Sequence, residues 1–222
     1  MANTLASPEV AALLTRLFAQ ADAGDPLILQ TIQKEADARF GGQRYHPTLA
    51  PLFDKALMPV PPEVGQFLYV LTRAKQPSLI VEIGTSHGLS AIHFAAALND
   101  NGAGRLISAE LSQTKAQAAR ANLVSLRLDR WVEIRRGDAF QTLKSLDAPI
   151  DLLFLDGWKD TYLPLLKALE PQLAANALVI GDDTKLFPER LASYLAYVRD
   201  PANGYQSVEL PIGDGVEMSV RV

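Results

Sequence analysis

Three carboxylates and one amine stand at the ends of two apolar runs, and these are the residues with which the chain could do chemistry. The first run, Ile150-Asp151-Leu152-Leu153-Phe154-Leu155, stops at Asp156 and is followed by Gly157, Trp158, Lys159 and Asp160. The second, Val179-Ile180, stops at Gly181-Asp182-Asp183. Short apolar runs bounded in this way read as strands buried on both faces. An ionisable residue at the end of such a strand lies at the carboxyl edge of the sheet, where open α/β sheets bind ligands. Singly, each residue has an ordinary reading. Lys159 could be a surface lysine, Asp160 a helix cap, Trp158 a packing residue and Asp182-Asp183 a turn. Their joint placement at two strand ends favours a site.

A second group belongs to a glycine loop. Val81-Glu82-Ile83-Gly84-Thr85-Ser86-His87-Gly88 reads as strand, loop and helix start. Its glycines allow a tight turn and close approach to a ligand. The spacing G-x-x-x-G differs from the G-x-G-x-x-G of dinucleotide folds, which argues against an NAD-dependent enzyme. Glu110 ends the next strand, where an acid can accept ribose hydroxyls. Gly137-Asp138-Ala139 closes the third, where an acid could bond an adenine amine.

The elements that position these residues follow from periodicity. Strands are expected at Leu79–Ile83, Arg105–Ala109, Trp131–Arg135, from Ile150 into the central run, Ala177–Ile180, Tyr205–Leu210 and Val216–Val222. Helices are expected from about Pro62 to Ala74, then at Leu89–Leu98, Ser112–Leu126, Ala139–Leu146, Thr161–Leu173 and Pro188–Val198. Alternating βα units predict a mostly parallel sheet with helices on both faces. Pro211-Ile212-Gly213-Asp214-Gly215 is short enough to close a C-terminal antiparallel hairpin. Before this domain, Ser7-Pro8-Glu9 and Asp25-Pro26 each read as a helix start, and Gly41-Gly42 as a helix end. Residues 43–47 read as loop, and Met58-Pro59-Val60-Pro61-Pro62 cannot be helical throughout. The expected organisation is a helical segment over 1–60, as substrate lid or dimer contact, and a cofactor-binding domain over 61–222.

Composition narrows the function classes. The 222 residues are 48% apolar and 21% charged, with 21 basic against 25 acidic residues and a net charge of −4. There is no overall basic field to collect nucleic acid. Without cysteine, disulfides, thiolate metal sites and a cysteine nucleophile are excluded. No apolar run approaches a membrane span, and the N-terminus lacks the pattern of a signal peptide. A cytoplasmic location without membrane attachment is the expectation. His46, His87 and His93 have no spaced partner suggesting zinc.

The glycine loop with Glu110 and Asp138 resembles the class I S-adenosylmethionine-dependent methyltransferases, which implies a Rossmann-like fold with a seven-stranded sheet. The stretch Phe154-Leu155-Asp156-Gly157-Trp158-Lys159-Asp160-Thr161-Tyr162-Leu163-Pro164 closely resembles catechol O-methyltransferase. Val179 to Asp183 resembles the next metal-binding strand end. Met58, Val60 and Gly65-Gln66-Phe67 look like the segment that approaches cofactor and metal in that family and its caffeoyl-CoA relatives, and 211–215 resembles the hairpin of bacterial members. The resemblance runs from about residue 55 to 222.

It implies that Asp156, Asp182 and Asp183 hold a divalent cation, for which an all-oxygen set suits Mg²⁺, with Mn²⁺ or Ca²⁺ as alternatives, and that Lys159 is the general base. Trp158 would stack on adenine, Glu82 and Ser90 would contact the methionine part, and Glu110 the ribose. Met58, Val60, Gly84, Thr85, Ser86, Gly88, Asp138, Ala139 and Asp156 complete the implied cofactor site. Gly157 stands where animal members have histidine and Asp183 where they have asparagine, which makes this site more negative. A catechol-like phenol is the implied substrate and a homodimer the implied assembly. Lys159, close to the cation and partly desolvated, would have its pKa lowered. Tyr45, His46 and Lys185 would border the substrate entrance. Two alternatives are a hydroxylated uridine of transfer RNA as acceptor and a cofactor-fold module without catalysis.

Overall fold

A computed structural model describes residues 3–43 and 47–222. Tyr45 and His46 therefore lie outside the described residues. Strands β1 (Leu79–Ile83), β2 (Arg105–Glu110), β3 (Val132–Arg136), β4 (Ile150–Leu155), β5 (Leu173–Asp182), β6 (Tyr205–Leu210) and β7 (Val216–Arg221) form one sheet in the order β3-β2-β1-β4-β5-β7-β6. β1 to β5 are parallel, and β7 runs antiparallel to both β5 and β6. This is the Rossmann-like methyltransferase arrangement that the sequence predicts.

Helices cover both faces because strand side chains alternate. Val81, Ile83, Leu153, Leu155 and Val179 face α6 (Tyr162–Leu169) and α7 (Pro188–Arg199), where they meet Tyr162, Leu166, Leu191 and Tyr194. Ile80, Leu152, Phe154 and Ile180 face α2 (Pro62–Lys75) and α3 (Leu89–Asn101), against Val64, Leu68, Ala91 and Phe94. By the same alternation Glu82 belongs to the α2–α3 face.

Several elements depart from their expected bounds. α1 (Pro8–Phe40) is one helix of 33 residues with Pro26 inside it, not two helices. Asp25-Pro26 is a start signal only if Asp25 caps the helix that follows. Here the Asp25 carboxylate instead accepts hydrogen bonds from Leu57 and Met58. The first half of α1 packs on α3 and on α4 (Gln113–Ser125) through Val10, Leu13, Leu14 and Leu17. Its second half brings Ile32 and Ala36 onto Leu49 and Phe53 of a 3₁₀ helix at Pro47–Lys55. The helix expected from Ala139 to Leu146 is only Ala139–Thr142 (α5). The one expected to reach Leu173 ends at Leu169, because Pro171 follows in a 3₁₀ turn. β5 accordingly begins at Leu173 rather than Ala177.

Candidate functional site

The strand order reverses between β1 and β4, and the crevice at their carboxyl ends is the switch point of the sheet. Register fixes what meets there. Ile83 lies beside Leu155, and Leu155 beside Gly181, so Gly84, Asp156 and Asp182 follow one another across three strands. Gly84 has φ +95, and a Cβ there would stand 2.4 Å from the Asp156 carbonyl oxygen. Only glycine lets the two chains approach so closely.

Asp156, Lys159, Asp182 and Asp183 are brought together. The Lys159 side chain is 8% exposed, and its Nζ lies 2.7 Å from Asp183 Oδ2 and 3.2 Å from Asp156 Oδ1. It also donates to the Tyr162 hydroxyl at 2.8 Å. Asp182 is buried, and its Oδ1 has no hydrogen-bond partner. Burial, with Asp183 adding to it and Lys159 opposing, pushes the Asp156 carboxyl up to about 7. Burial and the neighbouring Asp156 and Asp183 push Asp182 up as well.

The charge on Lys159 is set by its neighbours. Burial alone would lower its pKa, but the Tyr162 oxygen, Asp156 and Asp183 together push it well above the ordinary lysine value. Without a metal it is an ammonium that neutralises carboxylates. Among the described residues, no three histidine, aspartate or glutamate side chains close tightly enough around one point to hold a metal ion. Asp156 and Asp183 are drawn onto Lys159 instead. The donor set still suits a hard cation, since it is all oxygen and one buried oxygen, Asp182 Oδ1, lacks a partner.

The glycine loop is held by acids and hydroxyls. Both Glu82 oxygens accept hydroxyl protons, from Ser90 at 2.5 Å and from Ser108. The Thr85 hydroxyl lies 2.5 Å from that of Ser108. Glu82 has no exposed surface, and burial pushes its carboxyl up to about 7. Glu110 accepts the N–H groups of Ser86 and Ser112, each at 2.8 Å. Gly88 caps α3 in the left-handed conformation. Asp138 caps α5 by accepting from Phe140 N–H at 3.0 Å, and Ala139 is half-buried beside it.

The remaining expected residues take distinct places. Met58 is partly exposed with φ 45, whereas the Val60 side chain is buried in the core. The Trp158 ring meets Phe53 edge-on at 5.4 Å and packs on the Ile32–Leu49 cluster. Asp160 does not cap a helix; its carboxylate pairs with Arg190 at 2.5 Å. His87 Nδ1 is buried without a hydrogen-bond partner, and His93 bonds the Leu89 carbonyl within α3.

Three neighbours of these groups escape a sequence reading. Tyr162 was legible only as a residue three positions after Lys159. Lys115 is 8% exposed. Burial lowers its pKa, while Glu110, Asp54, Asp25 and Asp156 oppose the shift. Asp25 was masked by its Asp-Pro signal.

Residues 81–184 match a family described as a methyltransferase domain. A catechol O-methyltransferase of Niastella koreensis is 37% identical over 128 residues, covering 56% of this chain and 57% of that protein. The mouse (Mus musculus) catechol O-methyltransferase is 30% identical over 168 residues, covering 70% of this chain and 62% of that protein. The match thus spans less than two thirds of either relative's length. An O-methyltransferase structure from Bacillus cereus in complex with SAH superposes with a TM-score of 0.66 at 21% identity. It covers 86% of this chain and 97% of that one, and at this identity shows likeness of fold. No helix among the described residues is long and apolar enough to cross a membrane.

Proposed function

We propose that this chain is a class I O-methyltransferase of the catechol and caffeoyl-CoA kind, to which it is similar, and that it transfers the methyl group of S-adenosylmethionine to a hydroxyl of a small catechol-like phenol, with Mg²⁺. The observation that carries this reading is the convergence of Asp156, Lys159, Asp182 and Asp183 beside Gly84 at the switch point.

The glycine loop and Glu110 would seat the cofactor. Glu110 meets its two N–H partners through separate oxygens and keeps lone pairs for ribose hydroxyls. Glu82 and Ser90 would set the floor beneath the methionine part. Asp138, Ala139 and Trp158 would border the adenine end.

Asp156, Asp182 and Asp183 would hold the cation, which when bound would lower the pKa of a coordinated phenol from about 10. Lys159 can take the phenol proton only as a neutral amine. The base assignment therefore requires that the positive charge these carboxylates now draw from Lys159 be supplied from elsewhere. Deprotonated oxygen, methyl and sulfur then need in-line alignment, and the buried site would exclude water from them.

Residues 61–222 would form the cofactor-binding domain and 1–60 the part that bears on substrate or a second subunit. The same reading expects a homodimer, which sedimentation would measure, and a cytoplasmic enzyme. Asp182→Asn tests the division of labour. It should cut Mg²⁺-supported methyl transfer by about 100-fold or more while leaving SAH affinity within about threefold. Equal loss of both would contradict the assignment of Asp182 to the metal.

A further inference from the structure

The N-terminal helix reaches into the cofactor end of the sheet at one residue. Asp25 lies in the middle of α1, at a depth unusual for an aspartate, with 8% of its surface exposed. Its two oxygens accept the N–H groups of consecutive residues, Leu57 at 2.8 Å and Met58 at 2.7 Å. Two charge-assisted bonds from one carboxylate fix the course of that turn.

The turn is not relaxed without them. Met58 is a non-glycine residue at φ 45, a conformation that persists where its surroundings impose it. The carbonyl of Leu57, oriented by the same turn, accepts the Ser86 hydroxyl at 2.5 Å. Ser86 is also left-handed, at φ 45, inside the glycine loop. Its N–H in turn donates to Glu110 Oε2. Asp25, the 57–58 turn, Ser86 and Glu110 form one continuous series of hydrogen bonds, running from a helix outside the sheet to the acid at the end of β2.

We infer that Asp25 is a positioning residue of the cofactor site, setting the conformation of the glycine loop through Leu57 and Ser86. The inference rests on the proposal that this loop and Glu110 seat S-adenosylmethionine. It gives the N-terminal segment a part in cofactor affinity beyond covering the domain.

The test is a double-mutant cycle of Asp25→Ala and Ser86→Ala, read by calorimetric SAH binding and by steady-state kinetics with S-adenosylmethionine. Either single change should raise the SAH Kd and the cofactor KM about tenfold, with kcat at saturating cofactor within about threefold. Because both act on one series of bonds, the double variant should be little weaker than either single one. Asp25→Asn keeps one acceptor oxygen and should fall between wild type and alanine. It replaces alanine in the cycle if Asp25→Ala does not fold. Effects that multiply to about 100-fold in the double variant, or SAH affinity unchanged by both Asp25 variants, would overturn the inference while leaving the cofactor site in place. A wild-type chain that binds no SAH would overturn the cofactor site and the inference with it.

Discussion

Replacing Lys159 by methionine keeps the length of the side chain and removes its charge. The loss is set by what the ammonium now holds: Asp183 at 2.7 Å, Asp156 at 3.2 Å and the Tyr162 hydroxyl at 2.8 Å. Removing one partner of a buried ion pair costs about 3–5 kcal/mol. The two carboxylates are 17% and 18% exposed, so water relieves part of this and about 3 kcal/mol is the fitting figure. Asp156, already pushed up to about 7, can also take up a proton in place of its lost partner. At pH 8, about one unit above that pKa, the uptake costs about 1.4 kcal/mol, less than leaving the charge unpaired, which keeps the loss at the low end of the range. Lys159 is fully charged there, because its folded pKa is raised and its contribution fades only as pH climbs past the ordinary lysine range. For a chain of this size about 3 kcal/mol lowers Tm by about 6–12 °C. The assay is thermal denaturation of both proteins at pH 8 in EDTA, repeated near pH 6, where the difference should narrow as Asp156 takes up a proton. A Lys159→Met protein that melts within about 2 °C of wild type at pH 8, or above it, would refute the view of Lys159 as the counter-charge of this site.

Glu82 should make stability fall as pH rises. Its folded pKa of about 7 lies above the ordinary 4.5, so the fold binds the extra proton between those values, and on the order of 3 kcal/mol is lost across that window. Denaturation from pH 5 to 8 should show a flatter profile for Glu82→Gln; identical slopes would count against it. Gly84→Ala combines a left-handed backbone with a Cβ 2.4 Å from the Asp156 carbonyl. It should lower stability by about 2 kcal/mol or more and raise the SAH Kd at least about tenfold, measured by melting and calorimetry; normal binding would mean that β1 and β4 need not close together. The chain has two tryptophans. If Trp158 borders the adenine, SAH should change the fluorescence of wild type and of Trp131→Phe but not of Trp158→Phe.

The sheet was legible because its signals are local. Runs such as Leu79–Ile83 and Ile150–Leu155 are apolar throughout, and glycines or acids mark where they stop. The gathering of Asp156, Asp182 and Asp183 followed from strand ends alone. What was not legible depends on partners far along the chain. Asp25-Pro26 reads as a helix start in any local window, yet its carboxylate serves residues 32 and 33 positions away. The state of Lys159 in the metal-free site was not legible for a related reason. Its type and position suit a base, but the charge balance with Tyr162, Asp156 and Asp183 decides whether it is amine or ammonium. The short α5 and the early end of α6 show the limit of helix periodicity where proline and loop packing intervene.

The proposed reaction is methyl transfer to a metal-bound catechol at this strand edge. Its most direct test is transfer from labelled S-adenosylmethionine to a panel of catechols and simple monophenols, with Mg²⁺ and with EDTA. Product from catechols only, abolished by EDTA and restored by Mg²⁺, is the expected result. Equal turnover of monophenols, or turnover that survives EDTA, would contradict a bidentate metal-bound substrate. Cofactor binding without methylation of any phenol would move the acceptor outside this class.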